Sequence, residues 1–339
     1  MLESRPRCVI THRVFPETVT VLEQHAAVIQ NEGCGSWPNE KVLDECQDAA
    51  AVMTFMPDHI DRAFIEACPK LKVVAGALKG YDNIDLDACR ERGIWVSIVP
   101  DFLTSPTAEL AIGLAIGIMR NVPTGDAWVR SGRFTAWRPT LYGTGFAGAA
   151  VGIVGFGGIG RAIADRLRGF GAAISYTDVR PASPDLELEL EARFQSLNAL
   201  LAESDVVFLC TPLTAYTKVL IDADALAKMK PGAFLINPAR GSLVDEEAVA
   251  DALKHGQLAG YAADAFAFED WARNDRPTTI PESLLRISDR TLFTPHLGSA
   301  TNQARRMIER RAAANIIDAL SGRCPRDAVD TFPPAKAIA

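Results

Sequence analysis

A chain of 339 residues is too long for one ordinary hydrophobic core, so two compact units are expected. Hydrophobic residues make up 48%, as in a globular protein, and the formal net charge of -7 argues against a broad footprint on a nucleic-acid backbone while leaving room for a local positive pocket. Seven cysteines (Cys8, Cys34, Cys46, Cys68, Cys89, Cys210 and Cys324) are scattered, odd in number and nowhere in Cys-x-x-Cys pairs, so reduced structural thiols are expected and no metal site.

The first residues, 1–7, are polar and lack the apolar centre of a secretory signal. Short apolar runs then alternate with helix-like stretches: Cys8-Val9-Ile10, Ala50-Ala51-Val52-Met53, Val73-Val74-Ala75 and Ile94-Trp95-Val96. This is the rhythm of a parallel sheet covered by helices. A long helix is predicted from Ser105-Pro106-Thr107, with Ser105 as cap, Pro106 in the first turn and Glu109 near the positive end, carrying the chain between domains. Its most apolar part, 110–119, is about half the length that crosses a bilayer and is flanked by Glu109 and Arg120. A soluble, cytoplasmic chain with no membrane partner is expected.

A second alternating series runs through Ala150-Val151-Gly152-Ile153-Val154, Ile174-Ser175-Tyr176, Val206-Val207-Phe208-Leu209, Ala233-Phe234-Leu235-Ile236 and Tyr261-Ala262-Ala263. The fold class is therefore α/β, with two doubly wound parallel-sheet domains. Residues 302–320 read as one helix, with Met307, Ile308, Ile316 and Ile317 on its apolar side and Gly322 beyond its end. That helix is expected to return to the first domain, giving a discontinuous smaller domain (1–100 with 300–339) around a larger one (101–299). The tail, with Pro325, Pro333 and Pro334, shows no periodicity and is expected to be loosely held.

Gly155-Phe156-Gly157-Gly158-Ile159-Gly160 fits G-x-G-x-x-G between an apolar strand and the helix-like 161–167. Missing side chains let a pyrophosphate approach a helix N-terminus, so this loop predicts a dinucleotide-binding, Rossmann-type domain. The following strand ends at Asp178, where a carboxylate accepts hydrogen bonds from adenosine ribose hydroxyls and repels an extra phosphate. NAD is the expected cofactor. Arg180, two positions on, tempers this to a preference over NADP.

Three residues beyond the loop carry chemistry. Arg240 follows the run 233–236, and a fixed guanidinium fork there can clamp an oxyanion. His296 follows Thr291-Leu292-Phe293-Thr294-Pro295, and Glu269 follows 261–263 at a short distance. An acid paired with an imidazole raises its proton affinity toward neutrality, where it serves best as acid or base. Residues at the carboxyl ends of strands are where open parallel sheets bind ligands. Redox catalysis on an anion is the expectation.

The order and spacing of the glycine loop, Asn237-Pro238-Ala239-Arg240-Gly241, Glu269 and Thr294-Pro295-His296-Leu297-Gly298-Ser299-Ala300 resemble the D-isomer-specific 2-hydroxyacid dehydrogenases, over nearly the whole chain. The resemblance implies that the arginine binds substrate, that the histidine tuned by the glutamate exchanges a proton, and that the chain forms a homodimer. It further implies cofactor contacts at Thr107, Gly155, Gly157, Gly158, Ile159, Gly160, Asp178, Cys210, Thr211, Pro212, Pro238, Ala239, Arg240, Asp264, His296 and Ser299, with Asp264 anchoring the nicotinamide amide.

Two segments depart from an ordinary member. Gly76-Ala77-Leu78-Lys79-Gly80-Tyr81-Asp82-Asn83 places a lysine in the substrate loop, and 269–277, Glu-Asp-Trp-Ala-Arg-Asn-Asp-Arg-Pro, lacks the proline that usually follows the glutamate. Together with Phe55-Met56-Pro57-Asp58, 106–113 and the stretch from Val129 through Trp137 to Tyr142-Gly143-Thr144-Gly145, they resemble the phosphonate dehydrogenases within the family. That resemblance implies oxidation of phosphite to phosphate with NAD, a substrate site at Lys79, Gly80, Arg240, Glu269, His296 and Ser299, and a pocket formed or covered by Met56, Trp137, Tyr142 and Trp271. Phosphite is largely a dianion near neutral pH whereas a 2-hydroxy acid is a monoanion, so two cations, Lys79 and Arg240, match its charge. His296 is the expected base for the entering water, with Arg240 as the other candidate. The alternatives are a D-2-hydroxyacid dehydrogenase of the glyoxylate or hydroxypyruvate reductase type and an NADH-sensing protein like the C-terminal-binding corepressors.

Overall fold

The structure is a computed structural model and describes residues 5–271, 273 and 275–329. The polar start 1–4, Ala272 and Asn274 of the segment after Glu269, and Pro333 and Pro334 of the tail lie outside the described residues. The chain divides into two compact units, Met1–Leu103 with Trp271–Asn274 and Ala300–Ala339, and Thr104–Asp270 with Asp275–Ser299.

The first unit holds a five-stranded sheet of β1 (Arg7–Ile10), β2 (Ala27–Gln30), β3 (Ala51–Thr54), β4 (Val73–Gly76) and β5 (Trp95–Ser97), ordered β2-β1-β3-β4-β5 with every pairing parallel. Alternate side chains serve opposite faces. Val9, Val52 and Val74 pack with Phe64, Ile65 and Cys89, whereas Ile10, Met53 and Ala75 pack with Ala304, Ile308, Ala312 and Ile316 of the helix Asn302–Leu320. A sheet buried on both faces explains why its strands read as unbroken apolar runs. Thr301 caps that helix by accepting from Ala304 N–H at 3.2 Å. Small Ala304, Ala312 and Ala313 are buried where the apolar count favoured Met307 and Ile317, which are only half-buried.

Behind the carboxyl ends of β3 and β4 lies a buried polar knot. The Asp58 carboxylate, 4% exposed, accepts from Thr11 Oγ1 at 2.5 Å and Phe55 N–H at 2.7 Å, while Asn83 Nδ2 donates to the carbonyls of Asp58 and Phe55 at 2.7 and 3.2 Å. The knot ties the loop carrying Met56 to the loop carrying Lys79. Burial outweighs these donors and raises the Asp58 carboxyl from 3.8 to about 6. With the folded value above the unfolded one, this group's contribution to stability is complete below 3.8 and lost as pH rises through about 6. Denaturant unfolding should therefore show stability falling over that window. In Asp58→Asn that part of the fall, about 3 kcal/mol at most, should vanish; identical pH dependence in variant and parent would count against the assignment.

The second unit holds β6 (Ala150–Val154), β7 (Ala173–Thr177), β8 (Ala192–Phe194), β9 (Val206–Leu209), β10 (Ala233–Asn237), β11 (Leu258–Ala263) and β12 (Thr291–Phe293), all parallel in the order β12-β11-β10-β9-β6-β7-β8. Its two apolar layers alternate likewise: Val151, Ile153, Val206, Phe208 and Ile236 face one side, Val207, Leu209, Leu235 and Tyr261 the other. The two parallel-sheet α/β units are those expected from the strand rhythm. The long helix spans Thr104–Met119, so Ser105 is inside its first turn and not its cap. Its hydroxyl donates to Glu109 at 3.0 Å and accepts from Arg166 at 2.6 Å, because a side chain within the turn reaches i+4 more readily than its own helix end. No helix among the described residues is long and apolar enough to cross a membrane, and none of their acidic, histidine and cysteine side chains group as a metal site would require.

Candidate active site

Several of the expected functional residues in the second unit's loops follow the carboxyl end of a strand. Gly155 comes directly after β6, Asp178 after β7, Cys210 after β9 and Asp264 after β11, while Arg240 and His296 sit three residues beyond β10 and β12. Parallel strands that all end on one edge of a sheet bring these distant positions together.

The glycine loop is shaped for close approach. Gly155 has φ +95°, and a Cβ there would lie 2.7 Å from the Cys210 carbonyl and Thr211 nitrogen; a Cβ at Gly160 would lie 2.2 Å from the Gly155 carbonyl oxygen. Those two glycines are demanded by the protein's own packing. Gly157 is different: a Cβ would meet nothing within 4 Å, and it precedes the helix Gly158–Arg168, whose end no side chain caps. Uncapped N–H groups facing open space suit a pyrophosphate. Asp178 accepts from Phe156 N–H and Val179 N–H, each at 2.6 Å, so the carboxylate is fixed beside the loop with lone pairs remaining on both oxygens. The residues present fit a dinucleotide.

Arg240 lies on a turn that Asn237 builds. This fully buried side chain donates from Nδ2 to the Arg240 carbonyl at 2.9 Å and accepts from Ala239 N–H at 3.2 Å. The guanidinium donates from Nη1 to the Ala239 carbonyl at 2.9 Å and stays half-buried. Gly241 next to it touches the Glu269 turn: a Cβ there would lie 1.8 Å from Phe266 C. Asp270 adds a second link, its buried carboxylate accepting from Ser242 N–H at 2.8 Å.

His296 Nδ1 and Glu269 Oε2 are 2.8 Å apart, and Glu269 Oε1 accepts from Phe266 N–H at 2.9 Å. With the carboxylate as acceptor, the neutral imidazole carries its proton on Nδ1, leaving Nε2 as the basic nitrogen. His296 has φ +56°, a left-handed conformation that costs about 1 kcal/mol or more in a non-glycine residue. Asp264 holds it there. Its carboxylate, 1% exposed, accepts from Thr294 Oγ1 at 2.6 Å, Leu297 N–H at 2.6 Å and Gly298 N–H at 2.7 Å, and its carbonyl accepts from His296 N–H at 2.9 Å. Burial raises the Asp264 carboxyl against the pull of those donors. Thr107 joins this cluster, since a Cβ on Gly298 would lie 3.1 Å from its Oγ1.

The structure thus brings Arg240, Glu269, His296, Asp264 and Thr107 into one constellation of hydrogen bonds and packed turns. Trp137 and Tyr142 are 77% and 76% exposed on the irregular stretch between the helix Val122–Arg130 and β6. Met56, Lys79, Gly80 and Trp271 belong to the first unit. Sequence reasoning missed the scaffold: Asn237, Glu246, Asp270 and the structural side of Asp264. Asn237 and Asp264 are polar residues at apolar strand ends, Glu246 an acid at a helix start and Asp270 an acid after a turn, and the role of each is visible only once burial is known.

Residues 112–298 match the family described as D-isomer specific 2-hydroxyacid dehydrogenase, NAD binding domain. The chain belongs to this family. It is 38% identical over 326 residues to a glyoxylate reductase of Pyrococcus furiosus, covering 95% of this chain and 94% of that one. Among solved structures, the TT0316 protein of Thermus thermophilus superposes with a TM-score of 0.86 at 35% identity, covering 95% of this chain and 99% of that one. An NADPH-dependent glyoxylate/hydroxypyruvate reductase from Sinorhizobium meliloti, in complex with NADP and malonate, does so at 0.84 and 29%, covering 97% and 98%. The chain accordingly carries the NAD-binding domain of an oxidoreductase family.

Proposed function

We propose that this protein is an NAD-linked dehydrogenase of a small oxyanion, bound at Arg240, with His296 and Glu269 exchanging the proton. The observation that carries the reading is the 2.8 Å pair of His296 Nδ1 and Glu269 Oε2 on a turn packed against that of Arg240. NAD, when bound, supplies the hydride acceptor or donor. Its holding residues are Gly157, Gly158 and Ile159 at the helix start and Asp178 at the ribose, an acid that favours NAD over NADP. Arg240 neutralises and orients the substrate anion. His296 Nε2 takes the substrate proton in oxidation and returns it in reduction, while Glu269 fixes the tautomer and stabilises the imidazolium.

For the substrate, the relatives support a 2-hydroxy acid and 2-oxo acid pair of the glyoxylate kind, better than they support phosphite. In that reading the proton moves between the substrate oxygen and His296. Phosphite oxidation is the second reading. Lys79 supports it, a half-buried cation in the loop after β4 that a monoanion does not call for, as do Met56 and the Trp271 segment. There His296 receives the proton of the entering water. One assay separates them: nicotinamide absorbance with glyoxylate and hydroxypyruvate plus NADH, against phosphite plus NAD, on the purified protein. Activity confined to phosphite would replace the first substrate by the second, and inactivity on both would remove the dehydrogenase reading.

The exposed apolar side chains Val129 at the end of the helix Val122–Arg130 and Phe134, Trp137 and Tyr142 on the stretch after it support a homodimer that covers them. Free cysteines at all seven positions support a reducing, cytoplasmic setting.

A further inference from the structure

Glu246 stands outside the constellation described above. It is the first residue of the helix Glu246–Lys254, only 5% exposed, and its Oε1 accepts from Ala267 N–H at 2.9 Å. Ala267 opens the short turn Ala267–Glu269 that delivers Glu269 to His296. The other carboxyl oxygen, Oε2, has no hydrogen-bond partner among the described residues. A buried carboxyl with one oxygen committed to a functional turn and the other uncommitted is costly to keep, because desolvation is not repaid by a second bond.

We infer that Glu246 is a positioning residue: its buried carboxyl anchors the turn carrying Glu269 and, by losing or taking one proton, sets the charge behind the His296–Glu269 pair. The inference rests on the reading of that pair as the proton-exchanging group. The charged neighbours acting on Glu246 are all acids: Asp270 and Glu269 from the turn, and Asp245, the cap of its own helix. From β11, the buried Tyr261 hydroxyl lies within its field. Burial, followed by these like charges, raises the Glu246 carboxyl from 4.5 to about 7, against the pull of Ala267 N–H. Neutral, the carboxyl only holds the turn. Ionised, it adds negative charge behind Glu269, which favours a protonated imidazole. That state assists reduction, which needs an acid, and opposes oxidation, which needs a base.

Glu246→Gln keeps the size and the Oε1 acceptor and fixes the neutral state. The test compares kcat and KM across pH 5 to 9 for parent and variant in whichever direction is active, with carbon-13 carboxyl titration of Glu246 in the parent. The expected result is an inflection near neutrality in the parent's kcat profile that the variant lacks. Above it, the variant should be several-fold faster in oxidation, or several-fold slower in reduction, with KM for the nicotinamide cofactor unchanged. A Glu246 carboxyl titrating as an ordinary surface glutamate would overturn the inference even if the variant failed to fold, and so would coincident pH profiles. His296→Asn with parental turnover would instead remove the underlying reading of the pair, without altering the Glu246 titration, so the two failures are distinguishable.

Discussion

His296→Asn is expected to lower kcat by roughly 10²- to 10⁴-fold and to flatten its pH dependence, the range that follows loss of a positioned acid or base. The substitution isolates chemistry from folding. Asparagine is among the few residues that tolerate the left-handed conformation His296 occupies, at φ +56°. Its amide can also donate to Glu269 in place of Nδ1, so the carboxylate is not stranded. The backbone bond from residue 296 to the Asp264 carbonyl, and the bonds of Leu297 and Gly298 to the Asp264 carboxylate, do not involve the imidazole. Thermal unfolding should therefore remain parental while turnover collapses. Near-normal turnover with the parental pH profile would exclude His296 as the proton-exchanging group and leave Arg240 as the other candidate base.

What could be read in the sequence, and what could not, follows from how each feature is encoded. Buried parallel strands are runs of apolar residues, and ten were legible that way, as was the helix Asn302–Leu320. The strands β2 and β8 were not. The first lies at a sheet edge with none of its residues fully buried, and the second is the three residues Ala-Arg-Phe at an edge of the other sheet, with two exposed. Edge strands need less apolar surface, so their pattern is weak. The glycine loop was legible because steric demand leaves a residue-type signature. The scaffold under the site was not, because Glu246 sits in Asp245-Glu246-Glu247, where acids at a helix start are expected on solvation and dipole grounds alone. Only the fold shows that the middle acid is buried and holds the Glu269 turn. Trp137 and Tyr142, which the resemblance implies form or cover the pocket, are exposed in the single chain.

Lys79→Ala should lower kcat/KM for phosphite by about 2 to 4 kcal/mol, roughly 30- to 1000-fold, if phosphite is a substrate. Burial pulls the Lys79 ammonium below the usual lysine value, while Asp101 opposes that pull and favours the charged form. A half-buried ammonium has lost part of its hydration, so an incoming anion recovers more from it than from a surface lysine. The size of the effect should depend on the substrate's charge. On the proposed reading, in which Arg240 matches the charge of a monoanionic 2-hydroxy acid or 2-oxo acid, the same variant should cost that substrate several-fold at most and a dianion more. The informative quantity is the ratio of the two losses, measured on one enzyme preparation with both substrates at fixed ionic strength. A large loss confined to phosphite would support the second substrate reading. Equal losses would mean that Lys79 shapes the loop after β4 and does not recognise charge, and an unchanged kcat/KM for both would dispose of the two-cation argument altogether.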